Sequence, residues 1–200
     1  EAEVTGALLK LIDNVPNVVF IEGSGESSIT KAGDRDYTNF SVYRQNRSGL
    51  INQGYNVMSL NLHSITAETL KDTADIVVLA DPKEIISPEN INKILSYIED
   101  GGNMLIAVEP GREYNIKRVT DELGVKFLPG ILVTPKQDFA PTLTTSRVTR
   151  FSIDLSYYYR MLAGRVVTMP TAIGLDYQLG NKYEMIPITT TLPRGTWNEV

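Results

Sequence analysis

Short runs of β-branched and other apolar residues alternate along this chain with segments of helical periodicity. The runs NVVFIE, YNVMSLNL, ADIVVLADP, NMLIAVEP and VKFLPG predict strands near residues 18–22, 56–61, 75–80, 103–108 and 125–128. Apolar positions three and four residues apart predict helices between them. Because a helix between two strands requires a crossover connection, the strands should lie parallel in one sheet. The predicted fold class is therefore α/β, with a doubly wound, mainly parallel, flavodoxin-like sheet.

Start and stop signals mark several of the predicted helices. In SPENINKILSYIEDGG, Ser87 is an N-cap candidate, Pro88 suits the first helical position, and two glycines end the helix. Residues 37–54 place apolar side chains on one helical face and end at Gly54, a C-cap candidate. Two further helices are predicted from VTGALLKLIDNVP, which Pro16 ends, and from NIKRVTDELG.

The character of the sequence changes after Gly130. The residues that follow are rich in threonine and proline and contain strand-like runs such as RVVTMPTAIGL and YEMIPITTTLP, while DLSYYYRMLAG suggests one short helix. We therefore interpret residues 1–16 as an N-terminal helix and lead-in and residues 17–129 as a flavodoxin-like core. Residues 130–200 are interpreted as a β-rich extension packed on the same domain.

The composition of the chain argues against several classes of function. The 200 residues have a net charge of −5 and contain no basic run, which argues against nucleic-acid binding. They contain no cysteine, which excludes disulfides, thiolate metal sites and a cysteine nucleophile, and the single histidine, His63, excludes a multi-histidine metal site within one chain. No apolar run approaches the roughly 20 residues of a transmembrane helix. Because the chain starts at Glu1 rather than methionine, we expect it to be a segment of a longer protein.

Polar residues follow the predicted strands at the points where the strands end. The carboxyl ends of parallel strands meet at one edge of a sheet, where the ligands of open α/β folds bind. Three arginines from the region after Gly130, namely Arg147, Arg150 and Arg165, are expected to neutralise the carboxylates at this edge. The edge is predicted to form a candidate binding cleft from Glu22, Ser24, Glu26, His63, Asp81 and Glu109.

Several interpretations of this edge are open. With strand order 2-1-3-4-5, Ser24, His63 and Asp81 could be a nucleophile, a base and an orienting acid, although the G-x-S-x-G elbow of hydrolases is missing. The turn EGSGESS could cradle a phosphate, although it carries two glutamates and lacks both glycine-rich nucleotide motifs. The carboxylates could bind calcium or magnesium, although their spacing matches no known loop. The simplest interpretation is a structural turn, since glycine and serine are common turn residues. We therefore predict no catalytic residue and no metal ligand.

Several segments resemble a known family. VVFIEGSGE, GYNVMSLNL, ADIVVLADPKEIISPENINKILSYIEDGGNMLIAVEP, LGVKFLPGILV and ITTTLPRGTWNE occur in the order found in the GldG-like family, and the resemblance covers about residues 4–199. Members are extracytoplasmic domains of auxiliary subunits of ABC-type transport systems, first associated with gliding motility. The resemblance implies a glutamine-amidotransferase-like fold without the catalytic cysteine, tethered to the membrane by helices outside this segment. Relatives usually carry a histidine where this chain has Ser24, so no catalytic role is carried over to that position.

The resulting hypothesis is a non-enzymatic binding or interaction domain of an ABC transporter auxiliary protein. The resemblance implies the permease and ATPase subunits as partners and the periplasmic face of the cytoplasmic membrane as the location. No cofactor and no nucleic-acid partner is predicted. The alternative hypothesis is a hydrolase or carbohydrate-processing enzyme that uses Ser24, His63 and Asp81.

Overall fold

The computed structural model describes residues 15–31, 33, 35–135, 139–149, 166–178, 180, 182–192 and 194–200. The predicted N-terminal helix and the helix predicted from DLSYYYRMLAG lie outside these ranges. The chain divides into two compact units, Glu1–Val119 and Thr120–Val200. The expectation that the residues after Gly130 pack on the same domain as the core stays a prediction.

The first unit contains a four-stranded parallel sheet of β1 (Asn17–Glu22), β2 (Asn56–Asn61), β3 (Ile76–Ala80) and β4 (Asn103–Ala107). The order of the strands in the sheet is β2-β1-β3-β4. Within it, Val18 lies beside Val57 on one side and beside Ile76 on the other. The sheet confirms the α/β class and the parallel pairing predicted from the alternation of strands and helices.

The two central strands supply the core of this unit. The inner residues of β1 and β3 are buried throughout, as expected for strands that are covered on both faces. Phe20 is fully buried and belongs to a cluster with Val18 and Val78. Burial of one such side chain contributes about 1.5–3 kcal/mol relative to leaving it in water. The sheet is therefore anchored at its centre, and the carboxyl ends of β1 and β3 have a fixed position.

Local capping determines where the helices begin and end. At the start of α3 (Pro88–Glu99), the Ser87 hydroxyl accepts a hydrogen bond from the N–H of Asn90 at 3.3 Å, and Pro88 occupies the first helical position, which confirms the predicted start. Ile91 and Ile94 are buried. No helix in the described part of the chain is long and apolar enough to cross a membrane. The α-helices described are α1 (Arg35–Ser41), α2 (Ala67–Thr73), α3 (Pro88–Glu99) and α4 (Lys117–Leu123).

The prediction of one helix over residues 37–54 was wrong, because the segment breaks after α1 ends at Ser41. Turns follow, and then a short 3₁₀-helix over Leu50–Gln53. The Nδ2 group of Asn52 donates to the carbonyl oxygens of Arg44 and Asn46, both at 2.8 Å. Asparagine side chains that bond to nearby backbone compete with helix formation. The predicted cap is confirmed, since Gly54 has φ +94° and its N–H bonds to Leu50 O.

The second unit is rich in antiparallel strands. β5 (Val125–Phe127) pairs antiparallel with β9 (Leu175–Tyr177), so the prediction of a fifth parallel strand at 125–128 was wrong. Lys126 is exposed between two half-buried neighbours, and this alternation suits a strand with one solvated face. The remaining strands form one two-stranded and one three-stranded sheet: β6 (Ile131–Val133) with β11 (Trp197–Glu199), and β7 (Leu143–Val148) between β8 (Val166–Pro170) and β10 (Thr189–Thr191).

Candidate functional site

The parallel topology brings the ends of all four strands of the first unit to one edge, where the predicted site residues lie. Glu22 is the last residue of β1, and Asp81 directly follows β3. His63 lies in a 3₁₀-helix, Leu62–Ser64, that follows β2, and Glu109 lies in the loop after β4. Ser24, Glu26 and Asp81 are buried, whereas His63 and Glu109 are exposed. The structure therefore places these residues at one edge of the sheet. The hydrogen bonds that they make determine which chemistry is open to them.

The carboxylate of Glu26 stabilises the turn after β1, of which Glu26 is itself a part. Oε2 of Glu26 accepts a hydrogen bond from the backbone N–H of Ser24 at 2.7 Å, inside a buried environment. Gly23 and Gly25 flank this bond with φ values of +135° and +70°, which other residues rarely adopt. Oε1 of Glu26 is buried and has no hydrogen-bond partner. The N–H group that a phosphate would need is thus already bonded to a carboxylate, which opposes the phosphate-cradle interpretation.

His63 fastens this turn to α3. Its Nε2 lies 2.9 Å from the carbonyl oxygen of Gly23, and its Nδ1 lies 3.3 Å from Nδ2 of Asn90. An amide NH₂ can only donate and a carbonyl can only accept, so the proton lies on Nε2 and Nδ1 is the acceptor. The backbone N–H of His63 also donates to Oδ1 of Asn61 at 2.9 Å. Both ring nitrogens of His63 are therefore used in positioning the glycine turn.

Lys93 sets the orientation of the Asn90 amide. Its ammonium group donates to Oδ1 of Asn90 at 3.2 Å, to the carbonyl of Leu62 at 2.8 Å and to Glu89 at 3.0 Å. These three acceptors match the three N–H bonds of the ammonium group. The hydrogen bond from Lys93, and secondly its charge, lower the pKa of Glu89. Lys93, Asn90 and His63 thus form a chain of hydrogen bonds from α3 to Gly23.

Asp81 joins the loops that follow β3 and β4. Oδ1 accepts a hydrogen bond from the N–H of Glu109 at 3.0 Å, and Oδ2 pairs with the Arg112 guanidinium. The backbone of Asp81 has φ +49°, and its N–H donates to Ala107 O at 2.7 Å. Both oxygens of this buried carboxylate therefore make contacts that connect the two loops.

Among the described residues, the arginine that pairs with Asp81 is Arg112, in the loop after β4. The expected neutralisation of this edge by arginines from the region after Gly130 stays a prediction. Of the three arginines predicted for this purpose, Arg147 is exposed, and Arg150 and Arg165 lie outside the described residues.

These contacts do not assemble the hypothetical triad of Ser24, His63 and Asp81. A triad requires the base to bond to the nucleophile on one ring nitrogen and to the acid on the other. The ring of His63 is instead bonded to Gly23 and Asn90, and Asp81 is bonded to Glu109 and Arg112.

Backbone hydrogen bonds close the space between the ends of β1 and β3, where an open α/β sheet usually binds its ligand. The carbonyl oxygen of Ser24 accepts from the N–H groups of Lys83 at 3.0 Å and Glu84 at 2.9 Å. Ser27 N–H donates to Ala80 O at 2.7 Å. The Lys83 ammonium group donates to Gly25 O at 3.0 Å and to Ser27 Oγ at 3.3 Å. The protein itself therefore occupies this crevice.

The cation interpretation finds no support in the described ranges, where no three histidine or acidic side chains converge as metal ligands. Sequence reasoning missed Asn90 and Arg112, which bind His63 and Asp81, and Lys93, which binds Asn90. Arg112 had one usable signal, since it is a cation in EPGRE, within the loop that follows the fourth strand. Asn90 and Lys93 had none, because their role depends on where α3 packs.

Comparison with known families and solved structures identifies one matching family model and structures that share the fold. The family model described as ABC-type uncharacterized transport system (ABC transporter auxiliary) matches residues 15–167. Among solved structures, the chain is similar to one described as the mmIFT52 N-terminal domain, with 18% identity, 82% of this chain and 69% of that chain covered, and a TM-score of 0.56. It is also similar to a ThuA-like protein from Bacteroides uniformis ATCC 8492, with 10% identity, coverage of 94% and 76%, and a TM-score of 0.54. At these identities the two structures show a shared fold alone. Comparison with curated protein sequences returns no significant match.

Proposed function

We propose that this chain, which belongs to the ABC-type uncharacterized transport system family, is a non-enzymatic binding or interaction domain of a transporter auxiliary protein. The proposal rests on the hydrogen bonds and the ion pair at the carboxyl edge of the sheet. There His63 and Asp81, the groups that could act as base and acid, are bonded to structural partners. Association with an ABC-type transport system follows from the family, and the GldG-like resemblance agrees with it.

The finer fold assignment supports the same proposal. We assign the first unit to the flavodoxin-like, glutamine-amidotransferase-like group, on the strength of its strand order 2-1-3-4 and the ThuA-like neighbour. In such folds the ligand crevice lies at the ends of β1 and β3. Here Ser24 and Lys83 join the two loops at that point, so the scaffold retains its architecture while its usual crevice is filled.

The partners we propose are a permease and an ATPase encoded with this protein. The GldG-like resemblance implies a separate ATPase subunit, and these 200 residues contain no G-x-x-x-x-G-K-[ST] motif of their own. We propose a location on the extracytoplasmic face of the cytoplasmic membrane, with anchoring helices outside these 200 residues. A role in gliding motility belongs to the same proposal and depends on the GldG-like resemblance.

Co-purification tests the proposed partnership. The full-length protein, carrying an affinity tag, is co-expressed with the neighbouring permease and ATPase and purified in mild detergent. We expect the three proteins to elute together in a fixed ratio, and we expect Ser24→Ala to leave both the association and the transport phenotype unchanged. Loss of the phenotype in Ser24→Ala, with association intact and the protein folded, would favour the hydrolase alternative. Elution of the tagged protein alone would contradict the partnership.

Cysteine labelling tests the location, because these residues contain no cysteine of their own. Glu68→Cys introduces a thiol at an exposed position of α2, in a full-length protein whose other cysteines, if any, are replaced. A membrane-impermeant maleimide should label this thiol in intact spheroplasts. Ala80→Cys is the matched control, since Ala80 is fully buried and should react only after denaturation. Labelling of Glu68→Cys only after cell lysis would place the domain in the cytoplasm.

A further inference from the structure

Two exposed arginines accompany two exposed aromatic side chains just before β2 begins, at the end of the sheet opposite to the candidate site. Arg44 and Arg47 are exposed, and the neighbouring Phe40 and Tyr43 are 44% and 45% exposed. Phe40 lies in the last turn of α1, and the other three lie between α1 and the 3₁₀-helix that precedes β2. Arginine and aromatic side chains are enriched at protein interfaces. Residues 40–48 are called the arginine segment below.

Side-chain amides hold the backbone of the arginine segment in place. The carbonyl oxygen of Arg44 accepts a hydrogen bond from Nδ2 of Asn52 at 2.8 Å, and that of Arg47 accepts one from Nε2 of Gln53 at 2.8 Å. Both arginines are therefore presented by backbone that is already ordered. A partner that binds them loses little free energy to the ordering of this segment.

The two guanidinium groups have no anionic partner in the described part of the chain. No hydrogen bond or ion pair among the described residues involves the side chain of Arg44 or Arg47, whereas Lys71, Lys93 and Arg112 each pair with a carboxylate. A guanidinium group presents a planar fork of N–H donors that matches both oxygens of one carboxylate. The arginine segment therefore offers two such forks to a partner.

The positive charge of this surface persists when its neighbours are counted. Residues 37–67 contain the two arginines and no aspartate or glutamate, and extension to residues 31–67 adds two cations and two carboxylates, so the net charge stays +2. At the same end of the sheet, Asp75 accepts a hydrogen bond from a backbone N–H of β1 at 2.7 Å, and counting it leaves a net charge of +1. Glu99 and Asp100 precede β4, three strand spacings or about 14 Å from β2, which exceeds the screening length at physiological salt. The arginine segment is thus locally positive in a chain of net charge −5.

We propose that Arg44 and Arg47, with Phe40 and Tyr43 beside them, form a docking surface for an acidic segment of another protein subunit of the transport system. The partner's matching feature is a pair of aspartate or glutamate side chains next to an apolar side chain, because opposite charge steers and registers such contacts. This inference rests on the proposed function. A second copy of the chain fits less well, since a symmetric interface would bring the arginines of both copies together. An anionic membrane surface also fits less well, because segments that bind such surfaces carry about four to eight basic residues.

The test measures binding of the full-length protein to the purified permease–ATPase complex in detergent, by surface plasmon resonance. The double variant Arg44→Glu/Arg47→Glu should weaken binding by about tenfold or more, because it places like charges opposite each other, and this loss should shrink at high salt. Lys117→Glu/Arg118→Glu is the matched control, because it reverses two exposed cations elsewhere on the same unit, and it should bind within about twofold of wild type. Equal thermal melting of all variants shows that none acts by unfolding.

The possible results separate this inference from the proposed function. If wild type binds the complex and the Arg44/Arg47 variant binds equally well, or if the control loses as much affinity as that variant, the docking surface is wrong and the proposed function stands. If wild type does not bind the complex, the proposed function fails and the docking surface fails with it. Sedimentation of the free protein, and flotation with vesicles rich in phosphatidylglycerol, cover the other occupants. Self-association or vesicle binding that the Arg44/Arg47 variant loses, while its binding to the complex is unchanged, would overturn the proposed partner.

Discussion

The ring of His63 lies against Gly23, so that a Cβ atom added at Gly23 would come 2.9 Å from His63 Cδ2. The Gly23 carbonyl oxygen is 2.9 Å from His63 Nε2, and the residue has φ +135°. A side chain at this position would thus meet both backbone strain and a steric clash. We predict that Gly23→Ala lowers the free energy of unfolding by about 1–3 kcal/mol from strain, with a further contribution from overpacking. Urea denaturation measures the change.

Gly101→Ala is the matched control for this prediction. Gly101 has φ +86°, but a Cβ atom there would have no neighbour within 4 Å. Its substitution should therefore show the strain of a positive φ alone, about 1–2 kcal/mol. If Gly23→Ala and Gly101→Ala destabilise the protein equally, the contact with His63 contributes nothing to the requirement for glycine.

The ion pair between Asp81 and Arg112 gives a second prediction. Arg112→Met keeps the aliphatic stem and removes the guanidinium, which leaves one oxygen of a buried carboxylate without its partner. We expect a loss of about 1–3 kcal/mol in the free energy of unfolding, and partial recovery in the double variant with Asp81→Asn, which removes the charge. Arg118→Met is the control, because Arg118 is exposed and its guanidinium makes a long, 3.4 Å contact with Oδ1 of Asn92. We expect this control to change the free energy of unfolding by no more than about 0.5 kcal/mol. Wild-type stability in Arg112→Met would show that this pair does not hold the two loops.

Sequence patterns predicted the strands of the first unit well because each is a β-branched run between turn residues. They also predicted the edge at which Glu22, His63 and Asp81 lie, since parallel strands end together. The patterns did not predict the partners of these residues, because Asn90 and Arg112 reach them only through the packing of α3 and the path of one loop. The patterns failed to predict the antiparallel pairing of residues 125–128, because a three-residue strand can pair with any available neighbour. They also failed for the helix over residues 37–54, where the Asn52 side chain bonds to the backbone in place of helical hydrogen bonds. Local sequence signals therefore determined most of the helices and strands, whereas tertiary contacts determined the hydrogen-bond partners at the candidate site.

Tyr97 provides a prediction about alkaline pH. Its hydroxyl oxygen lies 3.1 Å from the carbonyl oxygen of Asn103 and 3.3 Å from that of Ala74, two acceptors that share its single proton. Burial raises the pKa of Tyr97 above the usual 10.0. Because the folded-state pKa is raised, the stabilisation is fully present below pH 10 and is lost as the pH rises through the folded-state value. We expect Tyr97→Phe to be less stable by about 1 kcal/mol at neutral pH and to lose less stability than wild type above pH 10. Urea denaturation at neutral pH and on both sides of pH 10 measures both effects; parallel pH profiles for the two proteins would contradict the assignment.

Gly130 and Trp197 provide a prediction for the second unit. A Cβ atom at Gly130 would lie 1.9 Å from the backbone oxygen of Glu199, and Gly130 has φ +77°. Glu199 pairs with Ile131 in the β6–β11 sheet, so Gly130→Ala should separate these strands. Trp197, in β11, is the only tryptophan of the chain and is 46% exposed, and its fluorescence therefore reports on this sheet. We expect Gly130→Ala to shift the emission to longer wavelength and to increase quenching by acrylamide.

Gly195→Ala is the control, because Gly195 has φ +80° but open space around it, and it should leave the emission unchanged. Equal spectra for Gly130→Ala and wild type would mean that β11 can pair with β6 without this close approach.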